Sequence, residues 1–104
     1  MQPEHEIQNA IRAALAPYAV IFRANVGRME TPDGRYFSTG LPVGFSDLFG
    51  VRKLDGKAVF IEVKTASGRV SQYQRRFLTE MRKAGAIAGV CRSPEEAVKL
   101  ITEG

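Results

Sequence analysis

At 104 residues, with 44% hydrophobic and 25% charged side chains, the chain has the size and make-up of one globular domain, residues 1–104, with a single core. A lone cysteine, Cys91, excludes an internal disulfide framework, and one histidine with one cysteine cannot form a structural zinc site, so any metal would be held by oxygen. No apolar run approaches a bilayer span and Met1-Gln2-Pro3-Glu4 lacks a signal-peptide pattern, which together with the free cysteine predicts a cytoplasmic setting.

The first predicted element is a helix over about 3–15, where Ile7, Ala10, Ile11, Ala14 and Leu15 recur at helical spacing. Pro3 suits its first turn and Pro17 marks its stop. Glu4 sits one turn before Ile7 and two before Ile11, near the apolar stripe, whereas His5 and Glu6 fall off it and belong to solvent. A strand follows over about 19–26, and then a polar stretch from Gly27 to Pro42, with Thr31-Pro32-Asp33-Gly34 as a turn. That stretch fits either a short hairpin or a mobile loop. Two strands are predicted at about 44–52 and 58–65, joined by the turn Leu54-Asp55-Gly56-Lys57. A helix spans about 71–84 and Gly85 ends it; Ala86–Cys91 reads as a buried strand. Ser93-Pro94-Glu95-Glu96 opens the last helix, with an N-cap serine, a proline at N1 and a capping-box glutamate. The order α-β-(β-hairpin)-β-β-α-β-α predicts an α/β fold, with one mixed sheet flanked by helices.

Chemistry concentrates in the middle of this order. In Phe60-Ile61-Glu62-Val63-Lys64 the period-two alternation places Glu62 and Lys64 on one strand face, with Val59, Ile61 and Val63 on the other. Asp47, in Gly44-Phe45-Ser46-Asp47-Leu48, lies about fifteen residues upstream on the preceding strand. Two carboxylates hold a hard divalent cation, and an ammonium beside them orients or activates a water. That is the logic of a phosphodiester-cleaving site. Gln74 falls on the inward face of its helix with Phe77 and Leu78, where its amide needs partners; Glu62 and Lys64 are candidates, and so is nearby backbone.

The net charge is +4, and the stretch from Arg23 to Lys83 carries about twice as many Lys and Arg as Asp and Glu. Such a surface suits a polyanion bound through its phosphates. Arg23, Arg28, Arg69, Arg75 and Arg76 are the candidate phosphate contacts, with Arg75 and Arg76 foremost because they adjoin Gln74.

These residues resemble the PD-(D/E)XK nuclease superfamily, and within it the VRR-NUC branch, the virus-type replication-repair nucleases. The resemblance runs from Glu4-His5-Glu6-Ile7-Gln8 through Phe22–Gly27, Gly40–Leu48, Phe60–Lys64 and Ser71-Gln72-Tyr73-Gln74 to Gly89–Ser93. It implies a restriction-endonuclease-like sheet with an α-β-β-β-α-β-α core and an Mg²⁺- or Mn²⁺-dependent deoxyribonuclease. Asp47 and Glu62 would ligate the metal, with the backbone carbonyl of Val63 as a further ligand and Glu4 reaching it directly or through water. Lys64 would position or deprotonate the attacking water; two carboxylates beside it favour orientation and charge stabilisation over a free base. Gln74 would support Lys64 or the scissile phosphate. Small, stand-alone versions are similar to junction resolvases, which implies a homodimer on branched or flapped DNA, a role in replication, repair or recombination, and a phage or mobile-element setting. A non-catalytic nucleic-acid-binding module on the same fold is the alternative. A scaffold in which Glu62 and Lys64 form an ordinary solvated ion pair is a third reading.

Overall fold

The computed structural model describes residues 3–25, 28–38 and 40–104, with the side chains of 28–30 and 36–38 left aside. In chain order the elements are α1 (Glu4–Leu15), β1 (Ala19–Arg23), β2 (Arg28–Glu30), β3 (Tyr36–Ser38), β4 (Leu48–Arg52), β5 (Ala58–Val63), α2 (Gln72–Lys83), β6 (Ile87–Cys91) and α3 (Pro94–Glu103). Four strands form one mixed sheet in the order β1-β4-β5-β6, antiparallel except for the β5–β6 pair, which α2 connects. The stretch predicted as hairpin or loop is a hairpin: β2 and β3 pair antiparallel as a separate two-stranded sheet. The end of the predicted first strand, Val26, lies outside the described residues together with Gly27.

One face of the main sheet is dry. Ile7, Ile11 and Leu15 of α1 and Ala97 and Ile101 of α3 pack against Leu48, Val59, Ile61 and Val63, all of them buried. The alternation read from the sequence is therefore the alternation observed. The opposite face carries an aromatic cluster, in which Phe45 meets Phe49, Phe60 and Phe77 at centroid distances of 5.7, 5.9 and 4.8 Å. Phe77 seats α2 on this face over β5. Toward β1 nothing among the described residues covers it, and Val20, Phe22 and Val51 stay about half exposed.

Helix ends follow local chemistry. Ser71 caps α2 by accepting from Gln74 N at 3.1 Å, and the Gln74 side chain returns the bond by accepting from Ser71 N at 2.9 Å, a complete capping box. At α3, Ser93 caps as predicted, but the Glu96 carboxylate reaches one residue further back and accepts from Arg92 N at 2.6 Å. Only half of that predicted box forms.

Candidate metal centre

The strand predicted from Gly44 begins at Leu48, because the chain first makes a turn closed by Phe45 N donating to Pro42 O. Gly44 permits that turn. Its φ is +91°, and a Cβ built there would stand 2.5 Å from the carbonyl oxygen of Tyr73, so α2 begins hard against this backbone. Ser46, buried, donates to Leu48 O at 2.8 Å and locks the exit of the turn. Asp47 then enters the sheet with its carbonyl accepting from Ala24 N at 2.8 Å.

Register brings the acids together. Leu48 pairs with Ile61 and Phe49 with Phe60, so one further step along the ladder sets Asp47 opposite Glu62 on the same face. Like charges directly opposite each other destabilise a sheet. Asp47 is partly compensated, its Oδ2 accepting from Val63 N at 2.9 Å. Glu62 is not: it is 1% exposed, and neither carboxylate oxygen has a hydrogen-bond donor. Phe60, two residues earlier on the same face, packs with Phe45 and Phe77.

Burial, the first cause, pushes the Glu62 carboxyl up to about 9, helped by its hydrogen bond with Asp47, by the Asp47 charge and by Glu4; the Lys64 charge opposes them. When both carboxyls are ionised, both only accept and no bond joins them; one proton lets Glu62 donate to Asp47.

The remaining predicted residues divide. Lys64 is half-buried, follows Glu62 on its own face, and forms no salt bridge among the described residues, so the solvated Glu62–Lys64 pair does not exist. Glu4, at the start of α1, is half-buried and close enough for its charge to act on Glu62. No group of three carboxylate, thiol or imidazole side chains among the described residues closes into a ready metal cage, so Asp47 and Glu62 form the nucleus and Glu4 stands further out. The Gln74 oxygen is committed to the backbone of Ser71, leaving its amide NH₂ to donate. Arg23, Arg69, Arg75 and Arg76 are exposed and form no salt bridge among the described residues; the Arg28 side chain lies outside them.

Arg92 was not foreseen as a site residue. Its Nη1 donates to Thr65 O at 2.6 Å and Gly68 O at 2.7 Å, clamping the loop between Lys64 and the start of α2. Nothing in its sequence neighbourhood signals two carbonyl partners more than twenty residues away.

A mixed sheet that opposes an aspartate to the glutamate of a Glu-x-Lys strand, beside a helix start rich in arginine, defines an α/β domain of nuclease type. The VRR-NUC domain family profile matches residues 4–95, and the chain belongs to that family. A solved structure described as a VRR_NUC domain shares the fold, with a TM-score of 0.65 and 24% identity over 95% of this chain and 94% of that one. A comparison with curated proteins finds no match. No helix among the described residues is long and apolar enough to cross a membrane.

Proposed function

We propose that this domain is a metal-dependent DNA endonuclease that hydrolyses phosphodiester bonds in structured DNA, in the course of replication, repair or recombination. One observation carries the reading: Glu62 is buried without a donor, opposite a second carboxylate. A buried, unpaired acid costs several kcal/mol, on the order of 1–3 for a lost hydrogen bond alone and more when charged. A divalent cation between Asp47 and Glu62 would let both carboxyls ionise together and would satisfy the orphaned oxygens, and the all-oxygen donor set suits Mg²⁺ or Mn²⁺.

Asp47 and Glu62 would hold the ion, with the Val63 carbonyl as a further ligand and Glu4 joining directly or through water. Bound there, the metal supplies Lewis-acid stabilisation of the charge developing at phosphorus and lowers the pKa of a water. The protein's own side chains do the rest. Lys64, unpaired on the Glu62 face, orients the attacking water and offsets phosphate charge. The Gln74 amide NH₂ donates to a phosphate oxygen or steadies the substrate near Lys64. Arg23, Arg69, Arg75 and Arg76, with Arg28, grip the backbone by charge and carry no sequence information. A homodimer, presenting two such sites to one branched substrate, completes the reading; its support is the likeness to small junction-cutting modules.

The test is cleavage of labelled duplex, flap and four-way-junction DNA in Mg²⁺, Mn²⁺ or EDTA, by wild type, Glu62→Ala and Lys64→Ala. Cutting that requires metal and disappears in both variants is expected. Binding without cutting by the wild type in every metal would replace this reading with the binding module. Sedimentation of free and DNA-bound protein tests the dimer.

A further inference from the structure

We propose that Tyr73 is a stacking platform for an unpaired nucleobase beside the cleaved phosphate, so that the substrate carries unstacked nucleotides, as a flap or open branch does, rather than continuous duplex. The proposal rests on the nuclease reading above and adds to it how the substrate is chosen. Phe22, Phe45, Phe49, Phe60 and Phe77 each meet another ring across the sheet face. Tyr73 has neither a ring contact nor a side-chain hydrogen bond among the described residues, and it is 54% exposed.

The exposed ring stands on a fixed base. Tyr73 lies in the first turn of α2, inside the capping box, and its carbonyl abuts Gly44 so closely that no side chain fits between them. Three residues beyond Gly44 is Asp47, a span of at most about 11 Å, which is about three nucleotides at the 3.4 Å rise of a strand. Val43, next to Gly44 in the chain and 74% exposed, adds apolar surface nearby. Arg69, Arg75 and Arg76 surround the helix start with unpaired positive charge.

A rigidly based aromatic face among phosphate-binding cations is the arrangement that holds single-stranded nucleic acid. The ring has only two side-chain torsions to freeze, so little is lost when a base settles on it. Continuous duplex has its bases stacked on one another and offers no face to this ring; an unpaired nucleotide does.

The experiment titrates wild type, Tyr73→Phe and Tyr73→Ala in EDTA against a flap carrying a single unpaired 2-aminopurine within three nucleotides of the junction. The same base in a fully paired duplex is the control, and cleavage of both in Mg²⁺ is measured alongside. Stacking by wild type and Tyr73→Phe should quench the flap fluorescence. Tyr73→Ala should abolish the quench and bind the flap about 5- to 150-fold more weakly, with duplex affinity unchanged. A quench that survives Tyr73→Ala, or flap and duplex affinities that fall together, overturns the proposal. If Tyr73→Ala does not fold, Tyr73→Leu replaces it, keeping apolar bulk without a π face. Quenching by a protein that never cuts would sink the nuclease reading and leave the stack; cutting with a flap-to-duplex ratio indifferent to Tyr73→Ala would do the reverse.

Discussion

The two ends of the β4–β5 ladder each bury a charged residue and treat it in opposite ways. At one end the Arg52 guanidinium, 7% exposed, gives Nε and Nη2 to Asp55 at 3.0 and 2.6 Å, and Nη1 to the carbonyls of Ile101 and Gly104 at 2.7 and 2.8 Å. Those carbonyls belong to the last turn of α3, where unsatisfied acceptors and the helix dipole favour a cation. At the other end Glu62 is more deeply buried, faces Asp47, and receives no donor at all. A cavity of about 420 Å³ adjoins the Arg52 end, between Tyr18, Leu54 and Ile101, yet the buried charge on its wall, Arg52, already has four of its five donors engaged. Hollow shape and chemical need are thus separated along one pair of strands. The satisfied charge helps hold the fold together, and the unsatisfied one costs stability that the proposed metal would offset.

The largest effect expected is at Glu62. Glu62→Gln keeps the shape but has no carboxylate to offer a metal and none to hold un-ionised on folding, so cleavage should fall about a thousandfold, the scale of losing one principal transition-state contact. Metal-free stability at pH 8, read by urea denaturation, should rise by about 1–3 kcal/mol. A variant that is both inactive and less stable would break the contrast, since it would make Glu62 a structural residue like Arg52. Arg52→Leu is the mirror experiment: Asp55 and the α3 carbonyls lose their donor, Tm should drop by several degrees, and cleavage measured well below Tm should persist.

The same contrast sets opposite slopes against pH. Glu62 is raised from 4.5 to about 9 in the folded protein, so its contribution is fully present below pH 4.5 and is lost as pH rises toward 9. Asp55 is lowered from 3.8 to about 2, chiefly by its bond from Arg52, so its contribution is present above pH 3.8 and is lost as pH falls through 2. Tm in EDTA should therefore fall from both sides of a maximum near pH 4–5. Saturating Mg²⁺ should flatten the alkaline side, since a ligand at a hundred times its Kd adds about 2.7 kcal/mol. An alkaline limb equally steep with and without metal would detach the Glu62 carboxyl from the metal.

The contrast also explains what could be read in advance. Apolar spacing marked α1, the β5 alternation put Glu62 and Lys64 on one face, and a serine and a proline announced α3. All of these are signals carried within a few residues of chain. The pairing of Asp47 with Glu62 depends on how the 53–57 turn sets the ladder, and the donorless burial of Glu62 depends on tertiary packing that no stretch of neighbouring residues encodes. Arg92 and Arg52 find carbonyls more than twenty residues away, which no local pattern encodes. The short β4 follows from the turn at Gly44, whose glycine reads in sequence only as a strand boundary.

Gln74 shows how a correct address can hide two occupations, and it carries the smallest expected effect. Its position invites a role near Lys64, but its oxygen serves the capping box of α2. Alanine would confound the two, losing about 0.5–2 kcal/mol of cap together with any contact to substrate. Gln74→Glu separates them: a carboxylate still accepts from Ser71 N, and its negative charge suits a helix N-terminus. Stability should hold to within about 0.5 kcal/mol. Cleavage then reports on the free end of the side chain, where losing the amide NH₂ and repelling the phosphate should together lower it about tenfold or more. Full activity in Gln74→Glu would reduce Gln74 to a cap and remove it from the proposed site.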